Sequence, residues 1–410
     1  MCKYVLYGDG IHDDTAAIQN MIDGSSEVVL PVPTAFYLIS KPLVLHSNFK
    51  LKLPRFAEIR LADGSDCVML SGIMKEDIAD RITTRLCRYV NRYSGELPLE
   101  NIEIEGGIWN FNNKGQLGNP ISTNNFGKDG WYSGVGFLFY NVRGFKMSNL
   151  TLKDPVTYAV MLDTVSYFNI ENITFDFNEG NPYQSNMDGI HLCGNCNRGN
   201  ISKLFGTCYD DIVALNAEEG SSGPITDVTV SGIYTENSYS AVRLLASRPE
   251  SAIRNIHISD IHGTFYHFCI ALMRYYDRGC SGVIENVTID NVYASKSDRA
   301  LVKFPLVFKY RQYGVIDIDS HLKIKNFRVS NLHRREFVDF EAPTVNAFSD
   351  TEIDGLILDN ITAENLVGEG KMPFAKFAAE VSKLETANLT CDGESVDFEK
   401  LIQKSDYVNP

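Results

Sequence analysis

No stretch of the sequence approaches the eighteen or so apolar residues that a membrane-crossing helix needs, so no membrane partner is expected. Positive charge is scarce. Lys and Arg number 38 against 52 Asp and Glu, a formal net charge of −14, which argues against nucleic acid held by non-specific phosphate contacts. The opening MCKYVLYGDG has no basic segment followed by an apolar one, so no secretory leader is read there. A cytoplasmic location is the expectation, or a secreted one if a leader has been trimmed away. There is no low-complexity tract, no phosphate-cradling glycine loop and no serine-nucleophile elbow. The nine cysteines are odd in number and scattered, which reads as reduced thiols rather than a disulfide framework. Cys193-x-x-Cys196 has no second pair to complete a zinc site, so neither a metal nor a cofactor is expected.

What is present is the composition of a globular protein, 44% hydrophobic and 22% charged, with a repeat running through most of it. The template is an apolar residue, two spacers, an apolar residue, one spacer, an apolar residue, two spacers and an apolar residue. Asn, Gly or Asp stands near the last position. Copies end at Leu150, Ile173, Leu204, Ile233, Ile261, Val292, Leu332 and Ile361, at intervals of 23 to 40 residues. A fixed short β motif at variable spacing is what stacked coils with loops of differing length produce. Each copy alternates apolar with polar and cannot bury its inner face alone, so neighbouring copies must supply the core. A second short strand accompanies each coil: YAVML, DGIHL, DIVAL, SAVRLL, FCIAL and ALVKF. The pattern predicts an all-β fold, a single-stranded right-handed parallel β-helix. A two-sheet sandwich would need hairpin turns and would not need this period.

The expected layout is one β-helix domain over 1–410, with an N-terminal cap region at 1–27, coils over 28–367 and a C-terminal cap or tail at 368–410. Length alone would suggest two or three domains, but repetitive β architectures exceed that norm. Within GDGIHDDTAAIQNMIDG, Asp13 or Asp14 caps a helix whose apolar face is Ala16, Ala17, Ile18, Met21 and Ile22, with Gly24 ending it. Such a helix covers the open end of the stack. Residues 74–93 interrupt the repeat, with Ile82, Leu86 and Val90 on one helical face and Arg81, Arg85, Arg88 and Arg92 on another. The Asn-x-Ser/Thr triplets at Asn149, Asn172, Asn200, Asn286 and Asn360 fall inside the repeat and are read as turn asparagines, not glycan acceptors.

The chemistry concentrates between Asn186 and Asn216. Asp188 precedes Gly189-Ile190-His191-Leu192, and Asp210 and Asp211 precede Ile212-Val213-Ala214-Leu215. Stacked in register, Ile190, Val213 and Val242 form one inward row, and Leu192, Leu215 and Leu244 another. His191, Ala214 and Arg243 then point outward, with Lys303 a later member of that row. Asp188 and Asp211 share a column with Asp210 beside it, within roughly 5–9 Å at a coil spacing of about 4.8 Å. Crowded carboxylates divide into an acid and a base. A separation of roughly 6.5–9.5 Å suits an inverting glycosidase and about 5–5.5 Å a retaining one. A solvated column of turn aspartates is the plainer alternative.

The sequences NMDGIH and YDDIVAL, followed by AVRLLA, resemble the signature of glycoside hydrolase family 28. Its polygalacturonases carry Asn-Thr-Asp, Gly-Asp-Asp, Gly-His-Gly and Arg-Ile-Lys on a right-handed β-helix. The opening GDGIHDDTAAIQ resembles the N-terminal segment of many pectate-lyase-like proteins, so the resemblance in fold spans most of the chain and implies a pectin-lyase-like fold. The catalytic motifs cover the middle third. The resemblance implies Asp210 as the general acid, Asp188 and Asp211 as the pair activating water, and Arg243 on a substrate hydroxyl or carboxylate, without metal. The chain departs from the pattern in four places. Met187 replaces threonine, Tyr209 replaces glycine, Leu245 stands where the family has lysine, and the Gly-His-Gly coil is missing between Asn216 and Asp227. His191 is a candidate to replace the missing histidine, and Arg274 is an alternative to Arg243 if the register differs by one coil. Tyr209, Trp131, Tyr132 and Tyr183 are candidates to stack on sugar rings. The expected activity is inverting hydrolysis of a polysaccharide or oligosaccharide, pectin-like or related. A lyase or epimerase acting on uronates and a non-catalytic, tailspike-like carbohydrate-binding β-helix are the competing expectations.

Overall fold

The computed structural model describes residues 5–72, 98–120, 123, 134–275, 279–297, 313–337, 342–366 and 372–402. The candidate basic helix at 74–93, Trp131, Tyr132 and Lys303 lie outside these residues. The repeat template takes its form from the backbone. Two spacers between inward apolar residues would send the second apolar side chain outward, because side chains alternate faces along a strand. The chain corrects this with one residue in the left-handed region inside each two-residue spacer. In the coils ending at Ile261, Val292 and Leu332 these are Asn255 and Asp260, Asn286 and Asn291, and Asn326 and Asn331, with φ between 53° and 57° for all but Asn331, at 52°. Asn, Asp and Gly tolerate that region best, which is why they mark the repeat. Asn149, Asn172, Asn286 and Asn360 adopt it too. Asn200 does not. It sits within the strand Asn197–Gly206, and Lys203 takes the left-handed position in that coil.

These bends stack, and their side chains hydrogen-bond from coil to coil. Asn326 donates to Asn286, Asn286 to Asn255 and Asn255 to Asp227, at 2.8, 2.9 and 2.8 Å. A second ladder joins Asn360 to Asn331 and Asn331 to Asp290, at 2.7 and 2.8 Å.

The chain divides into two compact units, Met1–Asp210 with Glu219–Ser222, and Asp211–Glu218 with Gly223–Pro410. In the first unit three parallel ladders run side by side. One joins Glu27–Val29, Phe49–Lys52 and Leu99–Glu105 to later coils, a second joins Tyr37–Ile39, Glu58–Leu61, Ile108–Asn110 and Thr151–Lys153, and a third starts from Leu43–Leu45 and Leu70–Gly72. The strand Val160–Asp176 contributes to all three and so forms most of one coil. Ile18 and Ile22 of the helix Thr15–Asp23 are buried, and Gln19 exchanges two hydrogen bonds with the backbone of Val44, so the helix is tied to the third ladder. Asp13 accepts from the Thr15 N–H at the start of the helix, whereas Asp14 turns back to the N–H groups of Tyr7 and Gly8.

In the second unit the template strands Ile225–Ser238, Ile253–Phe265, Gly282–Lys296, Leu322–Glu336, Glu352–Asn365 and Leu384–Cys391 pair in parallel, in that order. Their inward rows are apolar: Val230, Ile258, Ile289, Val329 and Leu358 are all fully buried. A companion ladder joins Asp211–Asn216, Ser240–Leu245, Ile270–Met273, Ile316–Ile318, Val345–Ala347 and Ala375–Phe377. The parallel ladder therefore continues beyond residue 367, through Cys391, before an antiparallel turn to Glu394–Ser395 and the short helix Phe398–Ile402. The fold is an all-β, right-handed parallel β-helix with an N-terminal helix, the hand that parallel crossovers take.

Candidate active site

In the first unit, Asp188 stands at the corner leading into Ile190–Leu192. Its carbonyl accepts from the Ala159 N–H at 2.9 Å, and the strand beyond it pairs in parallel with Val160, Met161 and Leu162. Asp210 is reached one coil later, where the Tyr209 N–H donates to the Met187 carbonyl at 3.2 Å. The half-buried Asp210 accepts from the Asn186 side-chain amide at 3.4 Å. One carboxylate oxygen of Asp188 and one of Asp210 lie within 4.8 Å of each other.

His191 points outward from the strand, as the alternation requires, but it is not at the surface. Its ring is fully buried and stacks on Tyr158 with centroids 4.1 Å apart. Nδ1 meets Asp188 Oδ2 at 2.7 Å and Nε2 meets Glu219 Oε2 at 3.1 Å, while the Tyr158 hydroxyl also donates to Glu219 at 3.1 Å. Burial by itself would pull the imidazole pKa down, but the two carboxylates outweigh it and raise it to about 9. A side chain enclosed in this way cannot touch a sugar, so the expected substrate-binding role of His191 is corrected to an internal one. Glu219 reaches the ring from a segment folded onto this unit. The Ser221 N–H donates to Asp163 at 2.8 Å and the Gly194 N–H donates to the Ser221 carbonyl at 3.0 Å. Gly220, at φ 79°, leaves no room for a β-carbon, which would lie 2.5 Å from Asp163 Oδ2. Burial raises Asp163 to about 6.

Sequence reasoning missed Glu219 because it falls in the interval taken for a missing coil. The only signal there is the acidic pair Glu218-Glu219 closing the DIVALN alternation, ahead of glycines and serines.

In the second unit, Asp211 opens a strand whose six residues are all buried. The Ser240 hydroxyl donates to its Oδ1, and Arg243 Nη2 pairs with Oδ2 at 2.8 Å. Val213 pairs with Val242, Ala214 with Arg243 and Leu215 with Leu244, the rows expected from the alternation. Beyond Arg243 the outward row continues through Ala271, Asp317 and Asn346. Among the described residues the ladder is carried on by Ile316-Asp317-Ile318, with Asp317 in register with Ala271. Arg274 is displaced from its expected role. It lies just past Met273, the partner of Leu245, so it is not a registered alternative to Arg243. Its guanidinium donates to the Cys280 carbonyl at 3.1 Å. Burial pushes Glu218 up to about 7 although it accepts from the Ser247 and Arg248 N–H groups.

Tyr209 is half-buried, its hydroxyl pushed up mainly by burial and then by Cys208 and the carboxylates of Glu179, Asp154 and Asp176. Cys193 packs among Val68, Leu138, Tyr158 and Met161, and the Cys196 thiol, raised by burial, donates to the Leu162 carbonyl at 3.4 Å. Both cysteines are core residues.

No family model and no curated protein matches the sequence. Solved structures do match. A family 28 exopolygalacturonase of Yersinia enterocolitica superposes with TM-score 0.66 at 13% identity, over 95% of this chain and 77% of its own. PfbA, a surface adhesin of Streptococcus pneumoniae, gives 0.55 at 14%, over 96% and 92%. The tailspike of E. coli bacteriophage HK620, in complex with a pentasaccharide, gives 0.63 at 14%, over 93% and 63%. The likeness is one of fold. The shared fold is the parallel β-helix, and the proteins that carry it include a hydrolase, an adhesin and a tailspike.

Proposed function

We propose that the chain is a glycoside hydrolase acting on a pectic or related oligosaccharide, in the manner of glycoside hydrolase family 28. The observation that carries the reading is the approach of Asp188 and Asp210 to within 4.8 Å on successive coils of the first unit, with Asp211 next in the chain. In this reading Asp210, half-buried and the most accessible of the three, protonates the leaving oxygen. Asp188 and Asp211 take the proton of the attacking water. Each is paired with a cation in its own unit, Asp188 with His191 and Asp211 with Arg243. Arg243, still partly exposed, holds a substrate hydroxyl or carboxylate. The inverting course rests on the resemblance. The anomer released first, read by proton NMR, decides it. Leu245 in place of the family's lysine removes one cation that would hold a uronate, so neutral pectic oligosaccharides belong in the screen.

The test is a panel of pectic and other plant oligosaccharides incubated with wild type and Asp210→Asn. New reducing ends that depend on Asp210 are expected. Unsaturated, ultraviolet-absorbing products would replace the hydrolase with a lyase. Glycan binding without turnover, unchanged in Asp210→Asn, would leave a carbohydrate-binding β-helix.

A further inference from the structure

Glu219 and its segment lie outside everything the resemblance assigns, yet they close one side of the site. Four groups of the first unit face His191: Asp188 through Nδ1, Glu219 through Nε2, the Tyr158 ring against its face, and the buried Asp163, which acts on it at longer range. Asp188 spends Oδ2 on His191, and its Oδ1 is buried without a hydrogen-bond partner. An unsatisfied buried carboxylate oxygen is costly, and it is the atom of Asp188 left to accept a proton from water. The orientation of that oxygen depends on the ring. The ring is hydrogen-bonded at Nδ1 to Asp188, and at Nε2 it faces the Glu219 carboxylate 3.1 Å away, an ion-pair contact without hydrogen-bond alignment, so the second restraint on the ring is the charge of Glu219.

Glu219 in turn is fixed from behind. Asp163 accepts from the Ser221 N–H and from Thr164 Oγ1, at 2.8 and 2.9 Å, and Gly220 passes too close to Asp163 and Cys193 to carry a side chain. Its carboxylate retains some exposure, 16%, so it is the edge of this buried assembly nearest to solvent.

We propose that Glu219 is a positioning residue for the hydrolytic reaction: held by the Gly220-Ser221 turn on Asp163, it fixes His191, and through His191 it aims Oδ1 of Asp188 at the reacting water. The inference rests on the hydrolase reading, and its test separates the two. His191 is followed by NMR of protein labelled at histidine, with His191→Gln assigning the signal among the eight histidines. In wild type the ring titrates near 9. In Glu219→Gln, with one of two neighbouring anions gone, its titration moves down by about 1–3 units. Gly220→Ala, which leaves every titrating group in place, produces a shift in the same direction. An unmoved titration in both variants overturns the proposal without reference to activity.

The second arm uses whichever oligosaccharide wild type cleaves. Glu219→Gln lowers kcat by roughly 10–100-fold with little change in KM, and displaces the pH profile of kcat. Glu219→Asp recovers part of the loss. A kcat and pH profile equal to wild type, in a variant whose His191 titration has shifted, also overturns the proposal. If wild type cleaves nothing while the titration shifts as stated, it is the hydrolase reading that has failed, and the positioning role falls with it while the ion-pair geometry stands.

Discussion

The buried imidazolium makes stability depend on pH in a way that a single substitution exposes. Its pKa rises from 6.5 to about 9 in the folded protein, against the effect of burial, because Asp188 and Glu219 flank it. A raised folded pKa means that the folded state binds the proton more tightly. The stabilisation is therefore whole below pH 6.5 and is lost as pH rises through about 9. A shift of about 2.5 units at 1.36 kcal/mol per unit corresponds to ~3 kcal/mol, undiluted by solvent because the ring is fully buried. Other groups titrate nearby. Burial raises Glu218 and Asp317 to about 7 and lowers Lys296 to about 7, and all three are shared by wild type and His191→Gln. The assay is urea unfolding of both proteins at intervals from pH 6.5 to about 9, with their difference in unfolding free energy plotted against pH. The difference should shrink by about 3 kcal/mol across that window as wild type loses its proton. A difference that stays constant would show that His191 is neutral in the folded protein, and the ion-paired account of Asp188 would be wrong.

The left-handed bends predict that Asn331→Ala, at φ 52° and with hydrogen bonds to Asp290 and Asn360, costs about 2–4 kcal/mol in urea unfolding. Asn331→Gly, which keeps the backbone but loses the bonds, should cost about half as much, and equal costs would refute the backbone argument. Arg243→Gln leaves the buried carboxylate of Asp211 without its cation and should destabilise by about 3–5 kcal/mol. Arg243→Gln combined with Asp211→Asn should recover part of this in the same assay. Iodoacetamide should label the exposed Cys280 in the native protein, with Cys193, Cys196, Cys208 and Cys269 reacting only after unfolding, as peptide mass mapping will show.

The coil repeat could be read in the sequence because each two-residue spacer needs a left-handed residue, and the asparagines that supply it leave a mark at fixed offsets. The same regularity gave the pairing of Ala214 with Arg243. Loops obey no such rule. The alternation assigned His191 correctly to the outward face, but whether an outward residue meets solvent depends on what folds over it. Here Tyr158 and Glu219 cover it. Glu219 comes from a stretch whose glycines and serines carry no period, so its contact with His191 could not be derived from spacing.

The most direct measurement is digestion of a cleaved pectic oligosaccharide in heavy-oxygen water, followed by mass analysis of the fragments. Hydrolysis with Asp210 as the acid predicts one heavy oxygen in each new reducing end, released by wild type and slowed about 10²–10⁴-fold in Asp210→Asn. Unlabelled, unsaturated ends, or a rate indifferent to Asp210, would contradict the account.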